Sequence, residues 1–502
     1  MLLERNRAGL AVGRHTDINK LYCIMRKIFV FTVVAGVAAF VAASCGSKRK
    51  SDVSLLPRDS TYTSVKHPEW SRNAVIYEVN LRQYSEKGDL DGFEAELPRI
   101  KELGADILWF MPVHPISEKG RKGELGSYYA VRDYKAFNPE FGTIDEFKAL
   151  VKKIHGMGMK VIIDWVPNHT GQDNVWVEEH PEWYVRDSTG GFVSPYDWTD
   201  VYKLDYGNKE MRAAMVDALK FWIEEVGVDG FRCDVAGEVP TDFWDEARPK
   251  LQESNDELFM LAEASKPELQ VNGFDMGYNW PMKDLFNAIA ATAGQNSYKK
   301  ADGTAVEYPE KHAIDIDTLL ALQSLQYPAD TYLMNMVTNH DLNSWEGTEF
   351  DRYGNLADAM AVLSYTLPGM PLIYTGQETG LNRALEFFKK DVPPVWDPRN
   401  RYFEFYQKLN HLKHTQPALQ AGVDGGAVVR YPTESDDLYI FSRTVDNATV
   451  FVFANLGPEP REIKYTGDVP GGNSTTVDFF DSTKTEFPVA LNPGEYRVFV
   501  NR

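Results

Sequence analysis

The stretch Lys160-Val-Ile-Ile-Asp164-Trp-Val-Pro-Asn-His169 is a short apolar run that ends in polar residues. A run of this length predicts a buried strand of a parallel sheet, with Asp164 and His169 at or just beyond its end. Polar side chains at the carboxyl ends of parallel strands are the usual components of an active site. Four further strings repeat the pattern downstream: Val201-Tyr-Lys-Leu-Asp205, Gly230-Phe-Arg-Cys-Asp-Val235, Leu261-Ala-Glu263 and Val337-Thr-Asn-His-Asp341.

Strand candidates and amphipathic segments alternate from Ala74 onward. Between the second and third candidates, apolar residues recur at helical spacing from Phe147 to Met157. This alternation predicts an α/β fold with a parallel sheet, and eight units predict a closed TIM (β/α)8 barrel more strongly than an open doubly wound sheet. The eight candidates cover residues 74–79, 106–113, 160–164, 230–234, 258–262, 274–278, 333–337 and 371–375.

The chain of 502 residues is long enough for a barrel and a smaller module. Residues 168–205, after the third strand, exceed an ordinary loop and are rich in Trp, Tyr and Asp, which predicts a small subdomain overhanging the site. After residue 415 short alternating runs between Gly, Pro and Asp turns are typical of an antiparallel β-sandwich. We therefore predict a barrel over residues 71–415, with its inserted subdomain, and a C-terminal β-sandwich over residues 416–502.

The N-terminal region has the parts of a bacterial secretory signal. Met25-Arg-Lys27 is basic, residues 28–41 are apolar, and Ala42-Ala-Ser-Cys45 resembles a lipobox, in which the cysteine is lipidated. We predict an upstream extension or a mis-called start over residues 1–24, a lipoprotein signal peptide over residues 25–44 and a flexible tether over residues 45–70. A plain cleaved signal is the alternative. A membrane-spanning helix is disfavoured because the apolar run is shorter than about 20 residues.

The formal net charge of -20 disfavours nucleic acid and anionic lipid headgroups as partners, since both bind basic surfaces. A neutral substrate fits this charge better. Aromatic residues are plentiful, and their flat faces can pack against sugar rings as well as in the core.

Arg232 and Asp234 lie two positions apart on a predicted strand, so their side chains point to the same face. The guanidinium would then hold the carboxylate ionised by lowering its pKa, as a nucleophile requires. The alternative is an inward ion pair that only braces the barrel.

Two further carboxylates and two histidines follow other predicted strands. Glu263 comes after an apolar run, where a poorly solvated carboxyl could remain protonated as a general acid. Asp341, His169 and His340 could bind the hydroxyls of a sugar ring. Helix capping is the alternative for each carboxylate, and core packing for each histidine. Cleavage of a bond between sugars suits this array, because it needs one carboxylic acid to protonate the departing oxygen and one carboxylate at the anomeric carbon.

The five strings resemble, in order and in spacing, the conserved regions of the α-amylase family, glycoside hydrolase family 13. The resemblance extends from Ala74 to about Arg502. It implies a retaining mechanism in which Asp234 attacks, Glu263 is the acid and then the base, and Asp341 stabilises the distorted sugar. It also implies which residues hold the attacked glucose: Tyr129 by stacking, with Tyr128 as the competing residue, and Asp164, His169, Arg232 and His340 around the ring.

Two departures from the family pattern limit what the resemblance implies. Lys203 occupies the position of an aspartate ligand in calcium-dependent members, and its ammonium would replace a cation, so we expect no cofactor even though Asn168 is retained. Gly237-Glu238 replaces a Lys-His pair that many starch-cutting members use toward the reducing end. Neutral malto-oligosaccharides are therefore as much to be expected as α-glucan polymers.

Three functions remain open at this level. Hydrolysis of α-glucosidic bonds is the first interpretation, and a glucanotransferase would use the same covalent intermediate. A glycan-binding lipoprotein without turnover is disfavoured, because every residue that catalysis needs is present.

The resemblance to envelope lipoprotein amylases of polysaccharide-utilising Gram-negative bacteria predicts a location in the cell envelope. A lipidated Cys45 would hold the protein at the outer membrane, because several acyl chains bind firmly to a bilayer. Surface export often follows an acidic stretch after the cysteine, whereas Gly46-Ser-Lys-Arg-Lys50 is basic. We therefore expect an outer-membrane lipoprotein that faces the periplasm rather than the cell surface.

Overall fold

The computed structural model describes residues 65–300, 303–472 and 475–501. The predicted upstream extension, signal peptide and lipidated Cys45 lie outside these residues. The predicted tether extends to residue 70, but Val65 and His67 are already buried, and His67 Nδ1 lies 2.9 Å from Asp275 Oδ1. The folded body thus begins earlier than predicted, because His67 pairs with a carboxylate distant in sequence.

The strands of the described residues fall into a parallel set in the first part of the chain and an antiparallel set in the last part. They are β1 (Ile76–Val79), β2 (Ile107–Phe110), β3 (Lys160–Trp165), β4 (His169–Gly171), β5 (Val201–Lys203), β6 (Gly230–Cys233), β7 (Phe259–Ala262), β8 (Met276–Tyr278), β9 (Tyr332–Asn335), β10 (Met370–Tyr374), β11 (Val429–Arg430), β12 (Leu438–Val445), β13 (Ala448–Asn455), β14 (Arg461–Glu462), β15 (Thr476–Asp478), β16 (Ala490–Leu491) and β17 (Tyr496–Asn501).

The helices of the described residues lie mostly between the parallel strands. They are α1 (Leu81–Tyr84), α2 (Leu90–Glu94), α3 (Leu97–Leu103), α4 (Ile144–Gly156), α5 (Val175–Glu179), α6 (Lys209–Phe221), α7 (Thr241–Gln252), α8 (Leu269–Asn272), α9 (Trp280–Thr292), α10 (Asp315–Gln326), α11 (His340–Trp345), α12 (Glu349–Tyr353), α13 (Ala357–Thr366) and α14 (Arg401–Thr415). None of these helices is both long enough and apolar enough to cross a membrane.

Eight parallel strands form a closed barrel in the order β1, β2, β3, β6, β7, β8, β9, β10, and β10 pairs with β1 to complete the ring. Each strand pairs with the next barrel strand along the chain, so the TIM (β/α)8 prediction is confirmed and the open sheet is excluded. Asp164 on β3 lies opposite Arg232 on β6. The register therefore places the polar residues of two of the five strings side by side.

The helix α4 illustrates how local sequence sets the outer layer. Thr143 and Glu146 form a reciprocal capping box at its N-terminus, which satisfies two backbone N–H groups. Its buried face is apolar and packs on the barrel, as the spacing predicted. Between β3 and α6, the short antiparallel pair of β4 and β5 and the helix α5 occupy the region predicted as an inserted subdomain.

The C-terminal strands are antiparallel, as predicted. The strands β11, β12, β13, β17 and β15 form one sheet, and β14 and β16 form a second, two-stranded sheet. Leu491 of the small sheet packs with Leu438 and Phe453 of the large one. The opposite face of the large sheet joins the main core through residues such as Phe441 and Val452. The predicted domain boundary near residue 415 remains a prediction, although α14 ends at Thr415.

Candidate active site

A cavity of about 550 Å³ lies at the carboxyl ends of the barrel strands. Its lining includes Asp234, Glu263, Asp341, Tyr129, His169 and His340. The structure therefore brings together six side chains from separate parts of the sequence.

Arg232 connects the acidic residues of this site from below. Its buried guanidinium donates from Nη1 to Asp164 Oδ1 at 2.9 Å and to Asp234 Oδ1 at 3.0 Å. Its Nη2 lies 3.0 Å from Glu263 Oε2, without the alignment of a hydrogen bond. One cation thus contacts three carboxyl groups, which makes Arg232 more than a local brace.

The pKa of Asp234 departs from the sequence expectation. Burial, and then the negative charge of Glu263, raise the pKa of Asp234 well above its usual range, and Arg232 only partly opposes them. The predicted lowering of this pKa was wrong, because the spacing of Arg232 and Asp234 indicates only their mutual contact and gives no information on burial or on Glu263. A buried carboxyl near a second negative charge ionises less readily, so Asp234 holds its proton to a higher pH than an exposed aspartate would.

Val235 fixes the position of Glu263. Its backbone N–H donates to Glu263 Oε2 at 2.8 Å. Val235 has a φ of 44°, in the left-handed region that a β-branched residue rarely adopts. The strained conformation lies immediately after Asp234 and aims a backbone donor at the second carboxyl. The next helix, α8, begins only at Leu269, so the capping alternative for Glu263 does not hold.

Asp341 lies in the first turn of α11 but does not cap it. Asn339 is the N-cap, and its Oδ1 accepts from the Leu342 N–H at 2.8 Å. Asp341 is left to line the cavity, with its Oδ1 3.3 Å from His340 Nε2.

His340 and Tyr129 belong to a continuous hydrogen-bonded chain across the cleft floor. His340 donates from Nδ1 to Glu78 Oε1 at 2.5 Å and from Nε2 to the Tyr129 hydroxyl at 2.7 Å, and Tyr129 donates to Asp164 Oδ2 at 3.1 Å. Burial lowers the pKa of His340, but Asp341 and Glu78 outweigh burial and raise it to about 9. A protonated His340 can donate in both directions at once, as this chain requires.

Asp164 receives two opposing influences. Burial raises the pKa of Asp164 to about 6, and the charges of Arg232 and His340 limit that rise. Its oxygens accept from Arg232 and Tyr129, and Trp109 Nε1 lies 3.3 Å from Oδ2. Asp164 therefore orients other side chains of the site from within the barrel.

The structure separates the two adjacent tyrosines. Tyr129 lines the cavity, and its ring lies parallel to that of Phe387 at 6.4 Å between centroids. Tyr128 is buried, donates to Asn80 Oδ1 and lies under Arg82. Tyr129 is thus the tyrosine whose face is available to a sugar ring.

His169 and Lys203 face each other on the paired strands β4 and β5. Burial, together with the positive charge of Lys203, lowers the pKa of His169 to about 3, and Asn168 Nδ2 lies 3.3 Å from His169 Nδ1. A lysine ammonium near His169 is unfavourable for a calcium ion, which requires several anionic or neutral oxygen ligands. No group of three or more His, Cys, Asp or Glu in the described residues is arranged to hold a metal ion.

Sequence reasoning missed three residues that support the site. Glu78 is a fully buried partner of His340, Tyr278 accepts from Arg232 Nε, and Trp109 contacts Asp164. The signal for Glu78 was a carboxylate inside the apolar run 74–79, since a buried charge needs a partner. The other two are aromatic residues in buried strands and carry no distinctive sequence signal.

Comparison with known proteins agrees with this geometry. The family model for the alpha-amylase catalytic domain matches residues 58–183 and 179–393. The relatives include an alpha-amylase of Haloarcula japonica, 27% identical over 86% of this chain and 62% of its own length, and a neopullulanase of Thermoactinomyces vulgaris, 26% identical over 90% and 81%. The chain thus spans less than two thirds of the Haloarcula relative.

Solved structures of similar proteins include two of higher identity. An alpha-amylase from Lactobacillus plantarum is 29% identical, with a TM-score of 0.71 over 86% of this chain and all of that one. A maltogenic alpha-amylase from Thermotoga neapolitana is 28% identical, with a TM-score of 0.73 over 86% and 98%. Because the family model covers more than half of the sequence and the barrel carries the matching strand-end residues, this chain belongs to the alpha-amylase family.

Proposed function

We propose that the protein hydrolyses α-glucosidic bonds of malto-oligosaccharides and α-glucans with retention of anomeric configuration. The observation that carries this proposal is the contact of one buried guanidinium with both Asp234 and Glu263 at the floor of a sugar-sized cleft. The names of the relatives, which include alpha-amylase and neopullulanase, support the substrate class.

In the first step an Asp234 oxygen forms a bond to the anomeric carbon as the glycosidic C–O bond breaks. The electron pair of that bond goes to the departing oxygen, which receives the Glu263 proton. The hydrogen bond from the Val235 N–H holds Glu263 in place as the proton donor. In the second step water attacks the same carbon, Glu263 takes its proton, and Asp234 departs.

The contact of both carboxyls with the same guanidinium supports retention over inversion. Inverting enzymes hold their carboxyls about 6.5–9.5 Å apart to admit a water, whereas retaining enzymes hold them about 5–5.5 Å apart. Arg232 Nη1 lies 3.0 Å from Asp234 Oδ1 and Arg232 Nη2 lies 3.0 Å from Glu263 Oε2, so one guanidinium holds both carboxyls near each other. Inversion would require a wider separation, because a water molecule must then fit between the carboxylate and the sugar.

The remaining residues orient the sugar. We assign Tyr129 to the face of the ring and assign His169, His340 and Asp341 to its hydroxyls. All four line the cavity. Arg232 and Asp164 lie deeper and act by orienting Asp234 and Tyr129.

The proposal is tested with Asp234→Asn, which keeps the size of the side chain and removes the nucleophile. We expect the variant to unfold at the wild-type temperature and to lose turnover of maltotriose. Asp242→Asn, an exposed aspartate at the start of α7, is the matched control. Turnover near the wild-type rate in Asp234→Asn would refute the assignment.

Products of maltotriose also decide between hydrolysis and transfer. Glucose and maltose alone indicate hydrolysis, because water accepts the glycosyl group. Products longer than maltotriose indicate a glucanotransferase, because a second sugar then accepts it.

We further propose that no calcium occupies the usual family site, with Lys203 supplying the positive charge there. The support is the position of Lys203 opposite His169 and its effect on the His169 pKa. A chelator should leave both activity and melting temperature unchanged. A lower melting temperature that calcium restores would contradict this proposal.

We also propose that the protein is an outer-membrane lipoprotein facing the periplasm, through Cys45. The support is the sequence Ala42-Ala-Ser-Cys45 and the basic residues that follow it. Cell fractionation of the full chain and of Cys45→Ala tests the anchor, which the substitution should abolish. Protease treatment of intact cells tests the side of the membrane, and digestion there would contradict a periplasmic location.

A further inference from the structure

A second cavity lies in the C-terminal part of the chain, within the region of the antiparallel strands. This C-terminal cavity has a volume of about 210 Å³, and its lining comes from β15, β17 and the segments beside them. Among the described residues, it has no lining residue in common with the active-site cavity. It is therefore separate from the site described above.

Two aromatic rings form an apolar wall of the C-terminal cavity. The centroids of the Phe480 and Tyr496 rings lie 5.6 Å apart, with an angle of 74° between the ring planes. Phe405 of the barrel helix α14 packs against Phe480, with centroids 6.1 Å apart and ring planes within 25° of parallel. Phe405 is buried, whereas Phe480 and Tyr496 are only partly buried. The barrel thus supports two rings that keep apolar surface available to the cavity.

Charged side chains complete the lining of the C-terminal cavity. Arg497 Nη2 lies 2.6 Å from Glu495 Oε1, and Arg497 Nε lies 3.8 Å from Asp478 Oδ2. Lys484 Nζ lies 3.2 Å from Asp481 Oδ2. Both cations of the lining are therefore already paired with carboxylates.

This pairing narrows the class of ligand that the cavity suits. Three carboxylates accompany two cations, so an anion would meet no uncompensated positive charge. The three carboxylates belong to no group of His, Cys, Asp or Glu that the described part of the chain arranges to hold a metal ion. A neutral ligand with several hydroxyls fits best, because paired charges exchange hydrogen bonds with hydroxyls while aromatic faces pack on the C–H groups of a sugar ring.

The C-terminal cavity lies toward the catalytic end of the barrel. Tyr496 is close enough to Asp358 and Arg401 for their charges to act on its hydroxyl. Asp358 and Arg401 are the second residue of α13 and the first residue of α14. Helices of a (β/α)8 barrel begin beside the carboxyl ends of the strands, which is the end that carries the active site. A polymer bound in the C-terminal cavity therefore lies at the same end of the barrel as the cleft.

We propose that the C-terminal cavity is a second carbohydrate-binding site, which holds a glucose ring of an α-glucan against Tyr496 and Phe480 while another part of the polymer occupies the cleft. The cavity is smaller than the lower limit of about 300 Å³ for drug-sized sites, so it suits a single ring. This inference rests on the proposed function for the identity of the ligand, and it adds a site that binds without cleaving.

A second site changes how the protein treats long and short substrates. A polymer that is held in the C-terminal cavity has a raised effective concentration at the cleft. A substrate that occupies the cleft alone gains nothing from the second site. The C-terminal cavity should therefore lower the KM for polymers and leave the turnover of maltotriose unchanged.

The kinetic test compares glycogen with maltotriose. For Tyr496→Ala we expect the KM for glycogen to rise about fivefold, as suits loss of one aromatic contact with a sugar ring, and kcat/KM for maltotriose to stay at the wild-type value. Arg497→Gln removes a charged hydrogen-bond donor of the same cavity and should raise the KM for glycogen about threefold.

A binding test needs no turnover. Native electrophoresis through gels that contain glycogen slows a protein in proportion to its binding. Asp234→Asn keeps the protein from cutting the glycogen in the gel, and addition of Tyr496→Ala to that variant should reduce the retardation.

Tyr465→Ala and Lys464→Gln are the matched controls. Tyr465 is a partly buried tyrosine of the same region, and Lys464 forms an exposed ion pair with Glu462, both outside the cavity. Both controls should keep the wild-type KM for glycogen. Thermal unfolding identifies folded variants, and Arg497→Gln supplies the same test if Tyr496→Ala does not fold.

The outcomes separate this inference from the proposed function. Unchanged KM and unchanged retardation on glycogen in the folded variants would overturn the second site and leave hydrolysis intact. A loss of kcat/KM on maltotriose as large as the loss on glycogen would also overturn it, because the substitutions would then act on the active site. A wild type that binds glycogen through Tyr496 but cleaves no α-glucan would overturn the proposed function alone.

Discussion

Two clusters around buried arginines lie at opposite ends of the same barrel and use similar residues for different purposes. At the carboxyl end, Arg232 is shared among Asp164, Asp234 and Glu263. At the amino end, Asp275 alone receives both Arg248 nitrogens, at 2.7 and 3.1 Å, and also His67 Nδ1. One cation serves three carboxyls in the first cluster, and two basic groups serve one carboxylate in the second.

The pKa values follow this difference in composition. Burial alone would raise the pKa of Asp275, but Arg248 and His67 outweigh it and lower the pKa. Burial and Glu263 raise the pKa of Asp234, since Arg232 only partly compensates. A fully compensated carboxylate such as Asp275 stabilises the fold, whereas the under-compensated Asp234 is costly to ionise, as is common at functional sites.

At the amino end of the barrel, the same type of contact between an aspartate and a backbone N–H occurs three times. Asp106, Asp229 and Asp275 each precede a barrel strand, and each accepts the backbone N–H of a residue in or beside a neighbouring strand, from Val75, Val161 and Met260. These contacts fasten adjacent strands where no chemistry occurs. Stability and catalysis are thus divided between the two ends of one sheet.

Removal of the shared cation should have the largest effect. Arg232→Leu leaves Asp164, Asp234 and Glu263 without their shared cation, and we expect kcat on maltotriose to fall by more than about 10³-fold. The acidic limb of the pH profile should also move to higher pH, because without the cation the pKa of Asp234 rises further. Kinetics of a folded variant with kcat within tenfold of the wild type would contradict the role of Arg232.

Removal of the charge at the opposite end should instead affect stability. Asp275→Asn leaves Arg248 buried without its anion, and we expect the free energy of unfolding to fall by about 3 kcal/mol with kcat unchanged. Because the folded-state pKa of Asp275 is lowered, its contribution is full above the ordinary value of 3.8 and is lost as the pH falls further. Denaturant unfolding at pH 7 and pH 3 measures both effects, and a loss of kcat without loss of stability would reverse the comparison.

The histidine of the catalytic end gives a smaller, pH-dependent effect. The folded-state pKa of His340 is raised from 6.5 to about 9, so its ion pairs stabilise the fold fully below pH 6.5 and are lost between pH 6.5 and about 9. Glu78→Gln removes one of the raising charges and should move the alkaline limb of kcat to lower pH by about one unit. A pH profile identical to that of the wild type would exclude His340 as the group that titrates there.

The smallest effect on stability is expected at Glu349, a buried carboxyl outside both arginine clusters. Burial raises the pKa of Glu349 from 4.5 to about 7, so its ionisation destabilises the fold as the pH rises between these values. Glu349→Gln should therefore increase stability at pH 8 by up to about 1 kcal/mol and change little at pH 4. Thermal melts at the two pH values test this, and stabilisation at pH 4 alone would contradict the sign.

The features that the sequence predicted are those with a local period or a local motif. All eight barrel strands were expected within a few residues of their observed bounds, and the place of Asp234 in the cavity followed from its position directly after a strand. The pKa of Asp234 could not be predicted, because it depends on Glu263, which is 29 positions away. The same limit applies to Glu78 with His340 and to His67 with Asp275, whose pairing only the closed barrel creates.

The left-handed conformation of Val235 has a consequence for protein engineering. Val235→Gly would relieve the strain of a β-branched residue at a φ of 44°, and on that account selection for heat resistance would favour it. The same change would loosen the N–H that orients Glu263. Thermostable variants that carry glycine at position 235 should have a higher melting temperature and a lower kcat. Stabilising substitutions are therefore better placed elsewhere in the barrel.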